Sequence, residues 1–584
     1  MRITKSCGLI AATLAIHLHC TKFDGHVDDL PPETERLLKI EESHSAKELI
    51  AESRDDQMVA IGKIFIFNRT VLPDSDFFAP LINNLHYVTQ ADVIRDELNV
   101  YEGQTVPAWR IYDAERYVRG LAPIKQATIV QVKNKESGKT DLHVVTSDKI
   151  TAQINGAATG QGGYSSFGFQ VTESSLFGRL YSLTGSYSRE NFRDHIGISA
   201  GKQRINGSRW QVSTSSGISF SDSKYNSFSQ GITIAHPFLR DGQNHAFNFS
   251  ARYANGVGYD YYGGGIRKGI NSIDGSEFDL IYRTRVEHIS AQYLFGYGKN
   301  DRIEFGPGVT HYVRRDYYIK PADQYTFGES PELAVGEGAK NYYRPQQFSA
   351  RTISFALNTR NGRFAPMKNF HRYLFVEDQF EGFRTGTNIV HADPAFGLKD
   401  HYTAPTFGAS FQKNFFEQKF RLETGFNRSA IFWHDGRGYA NDDLISGGWT
   451  GFYFHRYGTL AIRQSLTKGY NLTADSRNSI AGMFGRGFYY GSIFPDAGFL
   501  SSLEYRSPGL KLPYVLLAGV AFFDYAGVGT TLSTLGWNPI IGFGLRSMLY
   551  EFDNNVFRFD LGFNLNDSKV NLLNALQFGL NHSF

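Results

Sequence analysis

The sequence predicts a mainly β protein: a 16-stranded transmembrane β-barrel preceded by one small α+β domain. Three observations lead there. Aromatics make up 15% of the 584 residues and glycine supplies 60 of them, while hydrophobic residues reach only 41%. That profile suits short pleated segments in which alternate residues meet lipid and the others a polar interior. No window approaches the roughly 20 consecutive apolar residues a spanning helix needs, and the mean hydropathy is −0.32. Finally, the 434 residues from 151 to 584 show alternation and turns but no convincing amphipathic helix. Lys+Arg 60 nearly balance Asp+Glu 57, a formal charge of +3, so nothing points to nucleic acid as a partner.

Residues 1–20 read as a secretory signal peptide: Arg2 and Lys5, then an apolar run from Cys7 to Ile16, with a small-residue cleavage site near Thr13-Leu14-Ala15. Cys7 and Cys20 are the only cysteines, which leaves the mature body neither a disulfide framework nor a thiolate metal site. Cys20 invites lipidation, but His19 is bulky where a small residue is expected. Residues 21–57 are polar, with Pro31-Pro32 and a Glu/Lys-rich stretch, and read as a short helix or charged linker.

Residues 58–150 form the small domain. Val59, Ile61 and Ile64 to Phe67 give a β-branched and aromatic strand. Thr89, with Asp92 three positions on and Val93, Ile94 and Leu98 behind it, predicts a capped short helix. Pro107 opens a second helix carrying Trp109, Tyr112 and Ala114 to Leu121. Residues 127–132 and 141–146 alternate as two closing strands, hairpinned through Glu136-Ser137-Gly138-Lys139. The order is strand, helix, helix, strand, strand.

Asn84 to Thr89, then Val93-Ile94-Arg95, Leu98, Glu102-Gly103 and Ala114-Glu115-Arg116-Tyr117-Val118-Arg119-Gly120-Leu121 resemble a POTRA domain, the periplasmic module of the BamA/TamA-type superfamily of outer-membrane barrels. Thr89, Glu102-Gly103 and Glu115-Arg116 match the pattern; its Gly-Asn turn is missing, and a longer connection from Asn68 to Asn83 follows the first strand. The resemblance implies a sheet edge, here Ala127 to Val132 with Ile129 at its centre, that receives client segments by β-augmentation.

From 151 to 584, segments such as 180–187, 211–220 and 246–253 alternate between apolar and small polar residues, with Gly/Asn/Asp turns between them. Sixteen strands allow about 27 residues for each strand plus loop. Thr172-Glu173-Ser174-Ser175-Leu176-Phe177-Gly178-Arg179 resembles a stretch of the superfamily's first hairpin. Gly485-Arg486-Gly487-Phe488 resembles its Arg-Gly-Phe motif at the tip of the sixth outer loop, and five strand-like segments follow. Asp524, in Phe522-Phe523-Asp524-Tyr525-Ala526-Gly527, resembles the aspartate of the thirteenth strand, with one extra residue before the glycine. Together they imply a charge-assisted lock of loop to wall. The terminal run to Phe584 resembles the delivery signal of outer-membrane barrels.

Gly197-Ile198-Ser199-Ala200-Gly201 fits a nucleophile elbow, but runs inside a small-residue strand with no α/β pattern around it, so no enzyme activity is expected. The roughly 37 residues before the small domain cannot hold the lipase that some relatives of the superfamily carry. The 17 histidines are scattered without an HExxH, so neither a metal site nor any other cofactor is expected. The resemblance implies an outer-membrane protein, its small domain in the periplasm, that assists insertion or translocation of outer-membrane proteins. Its partners would be unfolded outer-membrane or secreted polypeptides, the lipid bilayer, and a periplasmic protein at the POTRA. Two alternatives stand beside it. A two-partner-type polypeptide secretion pore would carry two such domains and an N-terminal plug helix. A porin or lipid-handling relative would use the domain for docking.

Overall fold

The computed structural model describes residues 30–43, 48, 54–161, 164–190, 193–220, 227–240, 242–259, 261–262, 265–266, 268–270, 277–279, 281–318, 347–368, 370–371, 373–434, 441–472, 496–552, 555–566 and 576–580. The signal-peptide residues with Cys7 and Cys20, the run Gly485-Arg486-Gly487-Phe488, and Phe584 lie outside them.

The small domain has a four-stranded sheet in the order β2-β1-β4-β3. Its strands are β1 (Met58–Arg69), β2 (Thr105–Pro107), β3 (Ile124–Lys133) and β4 (Thr140–Asp148). β1 runs parallel to β4, while β2 pairs antiparallel with β1, and β3 with β4. Among the described residues these helices accompany them: α1 (Pro32–Ser43), α2 (Ala79–Leu85), α3 (Ala91–Leu98) and α4 (Ala108–Arg119). Ile94 and Leu98 of α3 meet Ile111, Ala114 and Val118 of α4 over Ile61, Ile64, Leu142 and Val144 of the sheet, all buried. α1, expected as a helix or linker, is a helix because Leu38, with Leu37 beside it, buries against Val130 and Val145 on the sheet's other face. The connection after β1 holds α2.

One local expectation fails. Thr89 does not cap α3; Gln90 holds that position without a side-chain cap. The N–H and hydroxyl of Thr89 instead both donate to Asp148 Oδ2, at 2.7 and 2.9 Å, beside His86 Nε2 at 2.9 Å. A buried carboxylate needs several donors, and this one outcompetes the local cap.

The second unit is an antiparallel sheet of about 20 strands among the described residues, each paired with its neighbour in sequence. Sixteen is therefore too few. The length arithmetic allowed each strand a generous loop, but several connections are minimal, as at 298–300, 416–419 and 456–457. Among the described residues, strands run from two residues (Leu510–Lys511) to 22 (Gln347–Lys368).

Side chains alternate as pleating requires. In Leu516–Gly529, Leu516, Ala518, Val520, Phe522, Asp524 and Ala526 are buried, while Phe523 and Tyr525 are exposed. Ile303, Val309, Ile353, Phe355, Ile541 and Phe543 are each about half exposed on the same outward face of their strands. The opposite face buries Arg421, Glu504, Arg506, Arg546 and Asp560. No helix among the described residues is long and apolar enough to cross a membrane.

Candidate functional site

The small domain sits against one end of the large sheet, and its contacts form the most elaborate polar constellation among the described residues. α4 sets Tyr112, Glu115 and Arg119 along one face, at the three- and four-residue spacing of a helix. Arg119 forks onto Asp378 of strand Val376–Ala392, with N–O distances of 3.0 to 3.2 Å, and Tyr112 donates its hydroxyl to Asp378 Oδ1 at 2.9 Å. Glu115 accepts from Arg119 with one oxygen and from the Ile129 backbone N–H at 2.8 Å with the other. Arg119 also reaches the Ala127 carbonyl at 3.4 Å.

Burial dominates the electrostatics here. It pushes the Glu115 carboxyl up and raises the Tyr112 hydroxyl well above its usual value. For Arg119 burial pulls downward, but the Asp378 and Glu115 carboxylates outweigh it and hold the guanidinium firmly charged.

This bears directly on the expected client edge. β3 lies at the edge of its sheet, with Ala127 and Ile129 buried and Val132 half-buried. Two of its outward backbone groups are already bonded: Ile129 N–H to Glu115 and Ala127 C=O to Arg119. The protein occupies its own edge, with the same two side chains that tie α4 to the large sheet.

Further anchors surround this one. The hairpin turn 177–180 enters the small domain. Gly178 C=O accepts from Gln90 N–H at 3.0 Å, Phe177 packs on Tyr87 at 5.5 Å, and Leu180 joins the small domain's core. Gly178 has φ +65°, and a Cβ there would collide with the Val88 carbonyl, so glycine is required. Arg179 pairs with Asp92 at 3.1 Å. Glu97, 2% exposed, accepts Arg204 at 2.7 and 3.0 Å, with Arg240 alongside at 3.9 Å. Lys299 lies 3.5 Å from Asp113 and over the Trp109 ring.

Of these residues, the sequence reading quotes the run through Gly178-Arg179 as a motif without a role. It misses Asp378, Arg204 and Arg240, which sit singly in a strand and in turns, and Glu97, a buried charge near the end of α3. Glu115 and Arg119 fall within the quoted helix motif, yet their roles depend on Asp378, more than 250 residues away.

Asp524 is 3% exposed on the polar face of the large sheet, accepting from the Ser502 hydroxyl at 2.5 Å across the strand pair. Nearby on that face lie Glu504–Arg506 at 2.7 Å and Arg546–Asp560 at 2.6 Å. Gly458–Tyr470 precedes the 485–488 run; among the described residues five strands of five or more residues follow, from Ala497–Arg506 to Leu576–Leu580, with the two-residue Leu510–Lys511 between the first two. Among the described residues fifteen strands of the large sheet come before, which makes the connection the eighth at its end of the sheet and not the sixth. Gly197 to Gly201 runs within strand Arg193–Lys202, where Ser199 faces Thr184 and Ser215 on its neighbours.

No family model matches the chain, and no curated protein does. Among solved structures, BamA from Haemophilus ducreyi lacking POTRA domains 1–3 is similar at 14% identity and TM-score 0.32, covering 90% of this chain and 84% of that one. CdiB from Acinetobacter baumannii gives 10% identity and TM-score 0.41, covering 99% and 96%. CdiB from Escherichia coli gives 10% identity and TM-score 0.35, covering 94% and 98%.

Proposed function

We propose that the large sheet closes into an outer-membrane β-barrel that inserts or translocates polypeptides, with the small domain as a periplasmic POTRA-like module that captures them. One face of the sheet is apolar and exposed while the other buries charge, as a barrel between lipid and a polar lumen requires. In the strand order Leu576–Leu580 lies beside Ala152–Gln161, which supports closure and the satisfaction of backbone groups that lipid demands.

The observation that carries the capture role is the shared occupancy at the edge. Glu115 and Arg119 hold Ile129 N–H and Ala127 C=O while Arg119 holds Asp378. A client strand adding along Ala127 to Val132 would need those backbone groups. It would displace Glu115 and Arg119 and loosen α4 from the barrel, so capture and release of the barrel's near end are coupled. The lumenal lock belongs to the same proposal: the run Gly485-Arg486-Gly487-Phe488, outside the described residues, is expected to supply Arg486 as the partner of Asp524. Phe584 serves the chain's own delivery.

A photo-crosslinker at exposed Gln131 tests the capture role in cells. Crosslinks to unfolded outer-membrane or secreted polypeptides are expected, increased by Asp378→Asn and lost in Ile129→Pro. The proline removes the Ile129 N–H from the free edge and from Glu115 but spares the pairing of β3 with β4, since that N–H points away from the ladder. Crosslinks that ignore both substitutions, or their absence, would contradict the proposal.

A further inference from the structure

At the end of the large sheet far from the small domain, the turn between strands Val376–Ala392 and Tyr402–Phe415 gathers His391, Asp393 and His401. We propose that these three side chains bind a divalent cation of the zinc class. Asp393 Oδ2 lies 3.8 Å from His391 Nε2 and 3.7 Å from His401 Nε2, and the three ligand atoms fall within 4.8 Å of one another. Bonds of about 2.0–2.2 Å in a tetrahedral site place donors about 3.3–3.5 Å apart, so closure needs shifts of a few tenths of an ångström at the aspartate and, within the 4.8 Å limit, up to roughly an ångström more between the two imidazoles. The side chains are 32–35% exposed, which leaves a path for the ion.

The surroundings are arranged as a metal site's are. Asp393 Oδ1 is taken by the Ala395 N–H at 2.7 Å, which aims Oδ2 at the two imidazoles. His391 Nδ1 contacts Thr403 Oγ1 at 3.0 Å; donating there leaves the Nε2 lone pair for the cation. The same hydroxyl lies 2.9 Å from His434 Nε2, where it can donate, and the His434 ring is 4.7 Å from that of His401. His434 N–H bonds His401 C=O at 2.9 Å, so the end of the next strand is fastened to the same turn. Two imidazoles and one carboxylate favour zinc-class ions over magnesium or calcium, which prefer all-oxygen sites. The scattered histidines of the sequence meet here because a hairpin turn brings 391 and 401 together and strand pairing delivers 434.

The test is isothermal titration of the full chain, folded in detergent and stripped with EDTA, with zinc chloride. One saturable site per chain is expected, resistant to excess magnesium. His391→Ala and His401→Ala should each weaken it about 100-fold or more, and Thr403→Val about tenfold, the scale of losing an outer-shell partner. His195→Ala, elsewhere on the sheet, should leave it unchanged. Heat-modifiable migration on gels checks folding, and Asp393→Asn, which preserves shape, substitutes for any variant that fails this check. Absence of saturable zinc binding, equal displacement by magnesium, or undiminished binding in the folded variants would overturn the proposal.

Discussion

Asp378 is the residue on which most of the junction converges: one carboxylate satisfies a guanidinium and a phenol from α4. Both charged side chains are largely buried, at 10% and 13% exposure, so removing Asp378 leaves the Arg119 guanidinium half-satisfied, with Glu115 as its remaining carboxylate partner. Asp378→Ala is expected to cost about 3–5 kcal/mol, seen as faster hydrogen exchange across 108–119 with the large sheet still heat-modifiable. Combining Arg119→Met, Asp378→Leu and Glu115→Gln should recover much of that loss, because Arg119 also pairs with Glu115 and only the triple change leaves no orphaned charge. Equal exchange in wild type and Asp378→Ala would show the pair to be idle. At Asp524 the expected cost is smaller, about 1.5–3 kcal/mol for a charged hydrogen bond. Asp524→Ala and Arg486→Ala should both fold and both raise conductance noise in planar bilayers, and the double variant should be little worse than either. Fully additive effects would separate the two residues.

Among the elements, the hairpin turn 177–180 and helix α1 make separable predictions. Gly178→Ala combines a left-handed backbone, costing about 1–2 kcal/mol, with the collision at Val88 C=O. The turn should leave the small domain, exposing Leu180's socket and speeding tryptic cleavage after Arg179; unchanged cleavage would contradict this. α1 is held in part by Thr34 Oγ1 against His143 Nδ1 at 2.6 Å. Burial holds the His143 pKa below its ordinary 6.5, against the opposing pull of Asp141 and Glu33. The unfolded state therefore takes up a proton first, so stability is fully present above 6.5 and falls as pH drops below it. Protease sensitivity of α1 should rise on acidification, and His143→Gln should flatten that rise; an identical rise in the variant would remove His143 from the account. These elements also show what the sequence yields. The strand of 58–69 and the helices 91–98 and 108–119 are legible because their apolar periodicity is local. The Thr89 cap is misread because Asp148, far along the chain, offers both of its donors a better acceptor.

For the whole molecule, alternation along single strands reveals the sheet and its apolar face, but not its strand number, since turn length is set by packing and not by composition. The site divides the same way. Glu115, Arg119, Ile129 and Asp524 fall within recognisable runs, whereas their partners Asp378 and Ser502 are assigned only by three-dimensional register. The central claim is that this barrel and its docked module act on unfolded polypeptides. The most direct measurement reconstitutes the full chain in liposomes and follows the folding of a urea-denatured outer-membrane β-barrel client by its heat-modifiable migration. The account predicts faster client folding than in empty liposomes, with the gain abolished by Ile129→Pro and altered by Asp378→Asn. Client folding at the same rate in liposomes with and without the protein would contradict insertion, and an acceleration that both variants retain in full would contradict the role given to the edge.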